Sequence, residues 1–159
     1  MANTRVLMIF CGLILNVMVI LLSYFPNAAF SKSHHNHHSR SHHFHSPEIN
    51  PSGTHGILTV NNFAHGGDGG GPSECDGKFH PLPARVVALS TGWYAEGARC
   101  GKLIRIKAKN GRSTVANVVD ECDSKRGCKS NIVDASKSVW NDLRLDIDKG
   151  EVPVTWTMV

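Results

Sequence analysis

Only one acidic residue, Glu48, occurs before position 56, and none occurs before position 32. Aromatic side chains are scarce as well, with three tryptophans and two tyrosines in 159 residues, which limits stacking platforms for sugars or bases. The long apolar run Leu7–Leu22 covers sixteen positions, broken by Cys11, Gly12 and Asn16, and falls short of the ~20 needed to span a bilayer. Asn50-Pro51-Ser52 is disqualified as a glycosylation site by its proline, so N-glycans are not expected. The run Gly66-Gly67-Asp68-Gly69-Gly70-Gly71 lacks the lysine and helix of a P-loop and reads instead as a place of positive φ and close backbone approach. A length of 159 residues leaves room for one ordinary domain and excludes large multidomain enzymes.

What is present divides into three parts. Residues 1–31 combine Arg5, the apolar run and the small-residue exit Pro26-Asn27-Ala28-Ala29-Phe30-Ser31, the pattern of a secretory signal peptide cleaved after Ala29 or Ser31. Residues 32–55 hold eight of the ten histidines, including His34, His35, His37 and His38, and over Ser31–Ser46 Phe44 is the one large apolar side chain. Such a segment has little to bury against the entropy of ordering it, and reads as a disordered tail stiffened by Pro47 and Pro51. Its imidazoles are weak candidates for zinc, copper or nickel, and in acid they would favour polyanions such as pectin. Residues 56–159 are the foldable unit.

Cleavage of the signal would remove Cys11 and leave Cys75, Cys100, Cys122 and Cys128. An even set in a small secreted domain reads as two disulfides, with three connectivities open. Cys75–Cys100 with Cys122–Cys128 is preferred, the first tying a glycine-rich loop to a strand start and the second closing a short loop. A zinc site is disfavoured by the Cys-x5-Cys spacing.

Strands are expected at Ile57–Val60, Arg85–Ser90, Leu103–Ala108, Ser113–Asp120, Ile132-Val133 and Val152–Val159. Asn110-Gly111 is a hairpin turn, and Pro153 implies an edge or strand-start position. Asp134 is the expected N-cap of a helix over Ala135–Leu143. Six strands and one helix suggest a small closed β-barrel. Trp140 and Trp156 read as core, whereas Trp93-Tyr94 reads as a loop exposing at least one ring. Arg99, Lys102, Arg105, Lys107, Lys109 and Arg112 form a basic set along the hairpin and its approach, either a solvated face or a seat for an acidic partner.

Several runs carry a family resemblance: Asn61–Cys75, Val86–Tyr94, Val118–Asp123, Asn131–Trp140 and Val154–Trp156. Over residues 56–159 the chain closely resembles the plant kiwellins, or ripening-related proteins. The resemblance implies a mainly β, six-stranded double-psi β-barrel shared with barwin, expansin domain 1 and family-45 endoglucanases. It further implies secretion to the apoplast, links to ripening and defence, and a non-enzymatic role in which some members bind pathogen effectors. Two departures stand out. Longer members carry a cysteine-rich module where this chain has its histidine tract, and they often insert a loop where only Lys129-Ser130 separates Cys128 from Asn131.

Were the barrel an enzyme, Asp120 and Asp134 would be its acid–base pair, by likeness to the endoglucanases. Each also has a structural reading, Asp134 as the N-cap and Asp120 as an acceptor for amides around the Cys122–Cys128 ring. The expected function is therefore a monomeric extracellular binder of a protein or a cell-wall polysaccharide. No cofactor, nucleic acid or lasting membrane association is expected. The contact surface is expected around Gly66–Glu74, including Asp68 and Glu74, with Trp93-Tyr94 and Cys122–Cys128. If the tail chelates metal, zinc at neutral pH binds the intact chain in the micromolar range and a chain lacking residues 32–45 does not. A calorimetric titration without binding in that range removes the metal role.

Overall fold

A computed structural model describes residues 45–159. Six strands run β1 (Thr54–Asn61), β2 (Val86–Ser90), β3 (Leu103–Ala108), β4 (Ser113–Cys122), β5 (Ile132–Ser136) and β6 (Glu151–Met158). They close into a barrel in the order β1-β5-β2-β4-β3-β6. Two pairs are parallel, β1 with β5 and β2 with β4, and the other four contacts are antiparallel. Parallel neighbours need long crossovers, and these crossovers supply the loops above the strand ends. The mainly β architecture is the one expected.

Strand β3 shows how local pattern becomes wall. Its residues alternate exposed and buried from Leu103 to Ala108, sending Ile104, Ile106 and Ala108 inward and Leu103, Arg105 and Lys107 outward. Asn110-Gly111 then turns the chain, with Gly111 at φ 84° and its amide on the Ala108 carbonyl at 3.0 Å. Strand β4 returns antiparallel, pairing Lys107 with Ser113 and Leu103 with Asn117. Pro153 is the third residue of β6, opposite Ile57 of β1 and just before Val154, where pairing with β3 begins.

Three tryptophans fill the interior. Trp93, Trp140 and Trp156 are all buried, packed with Leu58, Leu89 and Ile106 among others. Trp93 and Trp156 meet edge to face at 5.1 Å, and Trp140 Nε1 donates to the Thr59 carbonyl at 2.8 Å. Gly56 fits closely here: a Cβ would stand 3.3 Å from the Trp93 ring and from the Asn131 carbonyl, and one of them would have to shift by a few tenths of an ångström. A smaller set of Phe63, Val86, Ala88 and Val119 packs on the outer side of β2 and β4.

Three expectations are corrected. Trp93 and Tyr94 do not lie in an exposed loop: they belong to the short helix α1 (Thr91–Tyr94), and both are buried. Asp134 is not a helix N-cap but a mid-strand residue of β5. The helix α2 begins at Lys137 after Ser136, because pairing of β5 with both β1 and β2 holds Ala135 extended. The ordered body also begins before position 56. Thr54 and His55 are in β1, and the segment ahead of them straps the barrel. Trp93 Nε1 donates to the Pro47 carbonyl at 2.6 Å, Ser46 Oγ sits 3.3 Å from Ser90 Oγ, and Ile49 packs on the core. The expected signal peptide, with His34, His35, His37 and His38, lies outside the described residues. Among the described residues no helix is long and apolar enough to cross a membrane.

The strap passes so close to α1 that a Cβ on Gly92 would stand 2.5 Å from Ser46 Oγ and 2.7 Å from the Ser46 nitrogen. Gly92→Ala is expected to push the strap off Trp93, red-shift tryptophan emission and cost about 1–3 kcal/mol in urea unfolding. Trp156→Ala, which empties the barrel centre, is expected to cost about 3–5 kcal/mol in the same measurement.

Candidate functional site

Strand register builds the site. Thr59 in β1 lies opposite Asp134 in β5, Asp134 opposite Ala88 in β2, and Ala88 opposite Asp120 in β4. The four residues form one row across four strands, and residues directly opposite one another point to the same face. Because Val87 and Leu89 enter the core, Ala88 and its row face outward. The register shifts between Val87 and Ala88, where β4 holds an extra residue, so Val119 and Asp120 both reach the outer side. Asp134 and Asp120 are thus two strand spacings apart at the backbone, roughly 10 Å, with only a methyl group between them.

Asp134 is the perturbed member. Its Oδ1 accepts from Thr59 Oγ1 at 2.5 Å. Burial pushes its carboxyl above the usual carboxylate range, the hydrogen bonds from Thr59 and Asn61 pull it back, and the negative charges of Asp68 and Asp120 add to the rise. Asp120 is held differently. Its Oδ1 accepts the backbone amides of Glu74 at 2.9 Å and Glu121 at 2.8 Å. It therefore anchors the glycine-rich loop and not the Cys122–Cys128 ring, whose amides go to Asp123 and Thr91.

The glycine-rich loop caps this face. Asp68 Oδ1 accepts the Asn62 amide at 3.0 Å, and the Gly69 amide reaches the Asn62 carbonyl at 3.3 Å. The loop lies so tightly on Asn61 and Asn62 that a Cβ on Gly67 would come within 2.3 Å of the Asn62 carbonyl. Close approach accounts for Gly67 and Gly69, and positive φ for Gly66 and Gly70. Just beyond the loop, Cys75 is bonded to Cys100 and its amide donates to the Val119 carbonyl at 3.0 Å. The second disulfide joins Cys122 to Cys128, as preferred from the sequence.

Asp68, Glu74, Asp120, Glu121 and Asp134 consequently gather around one side of the barrel. Their field reaches inward: burial raises the Tyr94 phenol, and Glu74, Glu121 and Asp120 raise it further. Tyr94 and Trp93 support this site from beneath and present no ring face to a ligand. Among the described residues no group of three or more His, Cys, Asp and Glu side chains is placed to hold a metal. Thr59, Asn61 and Ala88 were missed by sequence reasoning. Thr59 and Asn61 carried a signal, being polar residues two apart in a strand whose alternate positions are apolar.

Residues 27–159 match the Kiwellin-1 family. Ripening-related protein grip22 of Vitis vinifera is 59% identical over 123 residues, covering 71% of this chain and 56% of the relative. Kiwellin of Actinidia chinensis var. chinensis is 53% identical over 123 residues, covering 71% of this chain and 57% of the relative. The chain thus spans little more than half the length of these two relatives. Among solved structures, a Clavibacter michiganensis expansin in complex with cellohexaose shares the fold. It superposes with a TM-score of 0.52 at 24% identity, over 67% of this chain and 50% of the expansin.

A raised Asp134 carboxyl has a sign that can be checked. Protons bind the native state more tightly than the unfolded one, so the contribution of this group to stability is fully present below the ordinary carboxylate pKa. That contribution is lost as pH rises through the raised native value. Asp134→Asn keeps an oxygen for Thr59 and removes the charge. The variant is expected to gain stability relative to the parent on going from acid to neutral pH, measured as the difference in unfolding midpoints.

Proposed function

This chain belongs to the kiwellin family, and from that footing we propose that it is secreted and acts outside the cell by binding another macromolecule, without catalysis. The observation that carries this reading is how the carboxylates are employed. Asp120 accepts the Glu74 amide of the loop and Asp68, within the loop, accepts the Asn62 amide, holding the Gly66–Glu74 segment against the barrel as a preformed acidic rim. A rim fixed by hydrogen bonds and a nearby disulfide loses little freedom on binding, which favours recognition of a rigid partner. The partner class that suits it is a secreted protein with a basic patch, a pathogen effector included, because charge complementarity sets register and on-rate.

A second reading, a cell-wall polysaccharide binder or weak glycosidase, draws on the Asp134–Ala88–Asp120 row. Inverting hydrolysis wants carboxyls ~6.5–9.5 Å apart, one protonated and one ionised. The two backbones are roughly 10 Å apart, just above the range wanted between the carboxyls themselves. The raised Asp134 would be the acid and Asp120 the base.

Capture from plant extracellular fluid with the full chain as bait, followed by affinity measurement on the captured protein, tests the first reading. Asp68→Asn with Glu74→Gln is expected to weaken the complex by roughly tenfold, mainly through slower association. Incubation with β-glucans and peptidoglycan tests the second: no product is expected. Product release that disappears in Asp120→Asn or Asp134→Asn overturns the non-enzymatic reading.

A further inference from the structure

The side of the barrel away from the acidic rim has its own chemistry. Strands β1, β6 and β3 place His55, Thr155 and Lys107 in one row, and Arg105 faces Thr157 in the next. Lys109 and Arg112 continue the line at the hairpin turn, and all four cations are exposed. None of the four enters an ion pair formed among the described residues. The outward residues flanking Arg105 and Lys107 are neutral: Ser113 and Val115 on β4, Thr155 and Thr157 on β6. Arg99, grouped with them in the sequence, leaves the set by turning its guanidinium to the Trp93 carbonyl. An open groove of about 410 Å³ runs here, lined by His55, Lys107, Lys109 and Thr155 among others.

We propose that this groove is a binding surface for a linear carboxylated polysaccharide, a polyuronate. Charge complementarity identifies the ligand as an anion, and the layout identifies its form. Arg105 and Lys107 are two residues apart on one strand, about 7 Å along its axis, with Lys109 next in line. A line of cations matches a polymer carrying a carboxylate on every sugar. The hydroxyls of Thr155, Thr157 and Ser113 flank the line of charges and suit ring hydroxyls. An acidic protein carries the same charge without the sugar hydroxyls, and the poly-L-glutamate arm of the test below separates the two. The two faces are independent, so the chain can be held on an anionic matrix while its acidic rim stays free.

The test uses the full chain and an oligogalacturonate of defined length in calorimetric titration. Binding that weakens as salt is raised is expected, together with a loss of roughly tenfold or more in R105Q/K107Q/K109Q. Methyl-esterified oligogalacturonate, which keeps the sugar and removes the charge, is expected not to bind. Lys78→Gln with Lys137→Gln and Lys149→Gln removes as much charge elsewhere and is expected to bind as the parent does. Each variant retains residues 32–45, so any contribution of the histidine tract is constant, and matching thermal midpoints establish that each one folds. Absence of binding by the parent, undiminished binding by R105Q/K107Q/K109Q, or equal affinity for poly-L-glutamate overturns the proposal.

Discussion

Closure of a six-stranded barrel around three tryptophans is the constraint from which the other features follow. Each strand has a hydrogen-bonded neighbour on both sides, so every residue is committed either to the inside or to the outside. The inside is small, and Trp93, Trp140 and Trp156 occupy it with the aliphatic residues of all six strands. Gly56 leaves room for the Trp93 ring, and the Pro47 carbonyl accepts its indole N–H. With the interior given to packing, recognition has to take place on the outer faces and the loops that crown them.

The parallel pairs decide what those faces carry. A parallel connection brings together segments far apart in the chain: Thr59 and Asp134 are 75 residues apart and share a hydrogen bond. The same register sets Asp120 beyond Ala88, where its carboxylate catches the Glu74 amide. One side chain thus lies in the outer row of carboxylates and also fastens the loop that covers it. The Cys75–Cys100 bond encloses 25 residues and restricts the unfolded chain by about 3 kcal/mol on the loop-entropy account. Covalent and polar staples act on the same loop, which is why a glycine-rich segment with little to bury holds a defined shape.

Charge is segregated around the barrel by the same alternation. The rim formed over β1, β5, β2 and β4 collects Asp68, Glu74, Asp120, Glu121 and Asp134, whereas β3 and its turn carry Arg105, Lys107, Lys109 and Arg112. No ion pair among the described residues involves a member of either set. Asp142 is taken by Arg85 and Thr114, and Glu151 by Lys129. The molecule therefore presents two faces of opposite sign, one built on loops and one on flat strand surface.

Much of this was legible in the residues. The β3–β4 hairpin, the two disulfides, the buried Trp140 and Trp156 and the barrel class each rest on strand alternation, an Asn-Gly turn, an even cysteine count or a family resemblance. What was misread shares one cause. Trp93 and Tyr94 looked exposed because a Ser-Thr-Gly stretch precedes them, yet the strap from Ser46 to Ile49 and the barrel mouth enclose them. Asp134 looked like an N-cap because a helical pattern follows, yet pairing on both sides keeps β5 extended to Ser136. The sequence by itself determined the strands, the core candidates and the charge on each strand, since these depend on neighbours two to five residues away. Only the tertiary structure decided that Asp120 and Asp134 share a row and that Trp93 lies inside. The first depends on the register of β2 against both β5 and β4, the second on the strap that closes over α1, and the packing of the whole barrel selects both.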